Sequence, residues 1–320
     1  MHMNSISNYI RTHYREDKSI KSLWNIITGA RTQQTYFDAA MQHLLPVYEI
    51  APDYPFEAFT NMVSHKDKQQ CMLFPYFYLA SEMSFETLRL LIQSSSEMSY
   101  GINRFVPVSN NLIIQSQVKE VIRQVKSADI NLLQQDLSKL VTLVQHKFKH
   151  NYFAYKITGH DVQPKNDEQL ARLLNTETSH LKFMLLAEKN YILHLLRNES
   201  FHFLNLLYYK VPLHRNTART HQLINSYSID ETARLLRLRE HTIQDHIIEM
   251  MIKDYPVDIS RFISEDELQS IVHLYNQMTY GKLKAFYEHS AVKDYFKLKI
   301  GIVYASLMER NAHVDGTFIK

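Results

Sequence analysis

Glycine is scarce in this chain, with 6 residues in 320, and so is proline, with 8. Both are at about half of average use or below. A chain so poor in turn residues is expected to be mostly helical. The glycines are Gly29, Gly101, Gly159, Gly281, Gly301 and Gly316. None is close enough to another to form a dinucleotide fingerprint or a P-loop, which excludes the common phosphate cradles. Cys71 is the lone cysteine, so an internal disulfide and a thiolate zinc site are ruled out. Its apolar, aromatic neighbourhood suits a buried, inert thiol. Apolar runs long enough to span a membrane are missing, and the N-terminus has no apolar core of signal-peptide length. A soluble, cytoplasmic protein is expected. The net charge of +3 diagnoses no partner, so any nucleic-acid surface must come from local clustering.

Helical periodicity is what the chain does have. The expected fold is all-α, as multi-helix bundles in three successive units: 1–108, 109–210 and 217–320, the last a helix-turn-helix domain. The first unit opens with Ser19 to Gly29, apolar at 20, 23, 24, 26 and 27 and stopped by glycine. A second helix, Arg31 to Leu45, follows. Arg31, Thr32, Gln33 and Gln34 at its start are types that contact phosphates or base edges, and a solvated helix start explains them as well. Helices are also expected over Lys66–Met83, with a break at Pro75, and over Phe85–Ser94, before a loop from Ser95 to Ser109.

In the middle unit Asp129 caps a long helix with Ile130, Leu133, Leu137, Leu140, Val144 and Phe148 inward. From Lys119 to Lys156, Lys119, Arg123, Lys126, Lys139, Lys147, Lys149 and Lys156 stand against Glu120, Asp129 and Asp136. This is the strongest charge asymmetry in the chain and could face phosphates or simply water. Asn166 and Gln169 start a helical hairpin, a short apolar helix covers 201–209, and Val211–Asn216 reads as a linker.

The stretch from Tyr227 to Asp254 reads as two helices around a tight turn. Ser228 and Glu231 make an S-x-x-E capping box. Ala233, Leu238 and Ile243 sit five apart, which lets two helices cross closely as a helix-turn-helix. An ordinary αα-corner fits the same spacing. Arg237 stands where the turn glycine is usual. Gln244, Asp245 and Glu249 are expected on the outer face of the second helix. Glu240, Asp245 and Glu249 make that helix acidic, which opposes approach to a DNA groove. Arg237, Arg239, His241, Thr242 and Gln244 remain candidates for nucleic-acid or partner contact near its favourable N-terminal end. Ser264 and Glu267 form a second capping box, and Lys282 and Lys284 belong to a smaller basic cluster with Lys293, Lys297 and Lys299.

No motif demands catalysis. His146 and His150 share a helix face, but lysines surround them, so no metal is expected, and no cofactor or catalytic residue either.

The run from Ser228 through Glu249, with Thr242–His246 (T-I-Q-D-H) its most specific part, then D-I-S-R-F-I-S-E-D-E-L and Y-F-K-L-K-I-G-I-V-Y-A, resembles the helix-turn-helix module at the C-terminus of many RecQ-type helicases. Without a P-loop, the chain is similar to the YpbB-like family of Gram-positive bacteria, stand-alone proteins ending in this module and typically encoded beside such a helicase. Ile27–Thr35 is a looser match. His241 departs from the module's small capping residue, and Ala30 from an expected basic one. The resemblance implies a non-enzymatic partner of a RecQ-type helicase in DNA repair or recombination, binding the helicase, DNA or both, with no membrane role. A sequence-specific transcription regulator, dimeric on a palindromic site, is the competing expectation.

Overall fold

The computed structural model describes residues 4–15, 17–63, 73–127, 129–279 and 281–311. Within them the chain forms 15 α-helices and no strand, as an all-α chain should. In the first part lie α1 (Asn4–His13), α2 (Ile20–Ile27), α3 (Gln33–Met41) and α4 (Phe56–Val63). The middle carries α5 (Tyr78–Ser99), α6 (Leu112–Ser127), α7 (Ile130–Phe148), α8 (Asp167–Leu173) and α9 (Thr178–Asn198). The last part holds α10 (Arg215–Ile224), α11 (Ile229–Leu236), α12 (Glu240–Ile252), α13 (Glu265–Gln277), α14 (Leu283–His289) and α15 (Tyr295–Leu307). Cys71 and the first part of the expected helix from Lys66 lie outside the described residues; of the rest, 73–77 are not helical and α5 begins at Tyr78.

Two compact units form, not three in succession. One comprises Met1–Ile6, Cys71–Tyr209 and Ala312–Lys320, the other Ser7–Gln70 and Lys210–Asn311. The expected boundaries at 108 and 217 therefore differ from the grouping of contacts. The reason is α3, whose buried residues include Tyr36, Phe37, Ala40 and Met41 and which packs on α12 and α15. Sequence adjacency could not reveal that long-range pairing.

In the middle unit α5, α6, α7 and α9 surround one core, with Leu88, Leu91, Val118, Val121, Leu140, Val144, Ile192 and Leu195 inside. The helix expected at Phe85–Ser94 is longer, because α5 runs unbroken through Ser94, Ser95 and Ser96 to Ser99. The expected helix at 201–209 is a 3-10 turn at Leu204–Leu207. Asp136, counted among the surface acids, is 2% exposed. Its carboxylate accepts from the backbone N–H groups of His202 at 2.9 Å, Phe203 at 2.7 Å and Leu204 at 3.3 Å. It pins that segment to α7 and leaves the outer surface more basic than the sequence tally.

In the other unit α2 begins at a Ser19 cap and stops before Gly29, at φ +77°, where an added Cβ would lie 2.5 Å from Glu49 Cγ. Gly301 lets α15 press on α13, since a Cβ there would lie 2.5 Å from Ile271 Cγ2. His43 is held by Tyr275, whose hydroxyl donates to the Met41 carbonyl at 2.8 Å and lies 3.0 Å from His43 Nε2. Burial pushes the His43 pKa from 6.5 down to about 4, and the nearby positive charge of His13 and Arg15 adds to the shift. A base depressed in the fold contributes stability that is complete above its unfolded pKa and is lost as pH falls through the folded one. Denaturant titrations of the chain should therefore show stability falling between pH 6.5 and 4, with a His43 share of roughly 3 kcal/mol. His43→Gln should flatten the profile, and an unaltered profile would contradict the assignment.

Candidate functional site

Helix α11 starts on the expected capping box. Ser228 accepts from the Glu231 N–H at 3.2 Å, and Glu231 accepts from the Ser228 N–H at 2.8 Å. It ends at Arg237, which takes the left-handed conformation (φ 55°, ψ 44°) that glycine would normally supply. The Leu238 N–H then donates back to the Ala233 carbonyl at 2.9 Å, which tightens the turn. Ala233 and Ile243 are buried where the helices cross. The turn is therefore built with arginine at a modest conformational cost and with a guanidinium in solvent.

Helix α12 is the axis of this unit, packing against α3, α10, α11 and α15. His246, Ile247, Ile248, Glu249, Met250 and Ile252 are all buried. The amino-terminal end opens most to solvent: Arg239, Glu240 and His241 are exposed, Thr242, Gln244 and Asp245 partly so, and beyond them only Met251 is partly exposed. Arg239 occupies the cap position and makes no side-chain capping bond.

The motif residues behind the family resemblance turn out to hold helices together. Ile243 is fully buried, Asp245 accepts from Lys299 of α15 at 2.8 Å, and His246 Nδ1 shares a 2.8 Å hydrogen bond with Thr220 of α10. Glu249, expected on the outer face, is 0% exposed. It accepts from Lys253 Nζ at 2.6 Å, Thr217 Oγ1 at 2.6 Å, the His214 N–H at 2.9 Å and Gln33 Nε2 at 2.6 Å. Lys253 also donates to the Pro212 carbonyl at 3.0 Å and lies 4.6 Å from the Tyr36 ring centroid. Tyr36 and His214 share a further 2.8 Å hydrogen bond. Thus Val211–Asn216, expected as a linker, is tied into the unit. Burial pushes the Glu249 carboxyl up, but the donors outweigh it and hold the group below its ordinary range. Burial draws Lys253 down, with Glu249 opposing.

This network reduces the electrostatic objection to one residue. Of the three acids on α12, Asp245 and Glu249 are paired with lysines, leaving Glu240 exposed.

Residues 216–302 match the helix-turn-helix domain family. The C-terminal segment is a helix-turn-helix domain. The chain is also 22% identical over 238 residues to Protein YpbB of Bacillus subtilis (strain 168), covering 71% of this chain and 66% of that protein. The YpbB-like resemblance read from the sequence is borne out by these two matches. No solved structure matches.

The other candidates scatter around this domain and beyond it. Thr32 caps α3, and Gln34 donates to Asp38 at 2.7 Å. Arg31 reaches Glu49 at 3.2 Å but stays largely exposed. Gln33 is spent on Glu249. Lys282 and Lys284 are exposed beside the domain's outer helices, and Lys284 lies 3.8 Å from Glu288. Of their expected cluster, Lys297 and Lys299 are bound by Glu267 and Asp245. In the middle unit Arg123 pairs with Glu120 at 2.5 Å and Lys139 with Glu199 at 2.8 Å. Lys119, Lys126, Lys147 and Lys149 are exposed. His146 is exposed, and His150 Nδ1 lies 2.8 Å from the buried Glu188. Among the described residues no group of three His, Cys, Asp or Glu could hold a metal, and no helix is long and apolar enough to cross a membrane.

Removing one partner of a buried ion pair strands the other's charge. Lys253→Met should destabilise the chain by roughly 3–5 kcal/mol in denaturant titration, and Glu249→Gln added to it should recover a large part of the loss. Additive losses would show that the two side chains are not coupled.

Proposed function

We propose that this chain is a non-enzymatic accessory protein of a RecQ-type helicase in DNA repair or recombination, and that it touches DNA through the open end of its helix-turn-helix domain. The observation that carries the DNA half is the contrast along α12. Arg237, Arg239 and His241 stand in solvent at its start, while from His246 onward every residue but the partly exposed Met251 is buried.

Two guanidiniums beside an uncapped helix start suit phosphate oxygens. The first backbone N–H groups point outward there, and the helix dipole is positive at that end. Thr242 and Gln244 sit one turn further in, within reach of a groove edge. A reader of base sequence sets the N-terminal residues of its second helix against base edges in the major groove. Here Thr242 and Gln244 at those positions are only partly exposed, whereas Arg237 and Arg239 are exposed, which favours backbone contact over a transcription regulator's readout. The helicase half is supported by the likeness of residues 217–310 to the module appended to such helicases. With the turn on DNA, the chain would work in the cytoplasm beside its enzyme partner and need no cofactor.

Forked, labelled DNA titrated over a salt series tests this. Arg237→Glu with Arg239→Glu should weaken binding at least about tenfold and reduce the salt slope by about 2. Unchanged affinity would remove the turn as the DNA contact. One strongly preferred palindrome bound by a dimer would move the chain to the regulator class.

A further inference from the structure

The middle unit carries a groove that the DNA reading does not use. Its floor is Leu90 and Met98 of α5, Phe105 and Pro107 of the connecting loop, and Val118 and Ile122 of α6, and it encloses about 440 Å³. The loop wall is built, not loose. The buried Gln93 donates from Nε2 to the Val106 carbonyl at 3.0 Å and accepts the Val108 N–H at 2.8 Å. The charge on the rim has one sign: Lys119 and Lys126 line it and no carboxylate does.

The α6 residues on this side are Gln115, Lys119, Ile122 and Lys126. With Leu112 they recur at spacings of three and four, a stripe about 21 Å long at 1.5 Å per residue. The adjacent stripe, Ile114, Val121 and Val125, is in the core, and the buried Val118 lies between the two. Leu112 is 78% exposed and Val106 85% exposed. Apolar side chains presented this openly, beside an apolar floor and unopposed lysines, are uncommon on a face meant only for water.

We infer that this groove is a docking site for an amphipathic acidic segment of a partner protein. The segment's apolar side chains fill the floor, and its carboxylates meet Lys119 and Lys126. Helix-in-groove recognition uses this division of labour, with apolar anchors for affinity and charge for register and rate. Nucleic acid is the poorer fit, because phosphates gain nothing from Leu90, Met98, Pro107 and Ile122, and Phe105 is the sole aromatic ring in the lining. The inference stands on the middle unit alone and does not depend on the turn at Arg237.

The test uses the full chain and two labelled synthetic peptides about four helical turns long. One carries leucines along one face with glutamates beside them, and the other has lysines in place of the glutamates. The acidic peptide should bind and the basic one should not. Lys119→Glu with Lys126→Glu should weaken the acidic peptide at least about tenfold and admit the basic one. Leu112→Ser, an exposed change that leaves the core intact, should weaken the acidic peptide on the unaltered rim. The inference is overturned if the acidic peptide does not bind, or if both peptides bind alike. It is also overturned if the charge reversal lowers affinity for forked DNA while peptide binding stays the same, which would assign the face to nucleic acid.

Discussion

Glu249 on α12 and Lys253 at the cap that ends it are buried together, one turn apart, and the unit around them is assembled on that pair. A carboxylate and an ammonium out of water are expensive unless each finds several partners. The partners come from three places far apart in sequence. Gln33 and Tyr36 belong to α3, Pro212, His214 and Thr217 to the segment leading into and opening α10, and the pair itself to the end of α12 and its cap. Satisfying the charges therefore requires the start of the chain and its last third to meet in one arrangement. An apolar pair at these positions would hold the helices but would not dictate which N-terminal residues face them.

The same arrangement decides what the helix-turn-helix domain can present. Its second helix is committed along most of its length to holding α3, α10, α11 and α15 together. What remains outside is a turn with two arginines and the first residues of a helix. Such a surface grips a charged backbone better than it reads a base sequence. Two of the three acids that would have opposed DNA, Asp245 and Glu249, are neutralised by lysines within the fold, and Glu240 alone stays exposed between Arg239 and His241.

Much of this was visible in the residues before any geometry. The capping boxes at Ser228–Glu231 and Ser264–Glu267, the glycine stop at Gly29 and the 3.6-residue apolar period each located a helix, because these signals are local. The turn at Arg237 was legible as a helix-turn-helix despite its missing glycine, since Ala233, Leu238 and Ile243 carry the crossing. What escaped notice depends on distant partners. Asp136 and Glu249 look like surface acids on a polar face, and only a folded chain supplies the backbone N–H groups and the lysine that bury them. One sign was available in principle: Glu249 and Lys253 are spaced by four and lie among Ile247, Ile248, Met250 and Ile252, too apolar a setting for a solvated pair. The pairing of α3 with α12, and the groove over α6, have no sequence signal of comparable strength. The stripe from Leu112 to Lys126 mixes apolar and basic residues and reads equally as a wet face.

Hydrogen exchange along α11 and α12, with and without forked DNA, tests the central claim most directly. The account predicts that amides from Ile247 to Lys253 are strongly protected in the free chain, because that segment is held inside by the Glu249 network. It also predicts that DNA adds protection only around Arg237 to Gln244. Rapid exchange of Ile247–Lys253 in the free chain, or new protection of that segment on adding DNA, would mean that the second helix is released to lie in the groove, and would contradict it.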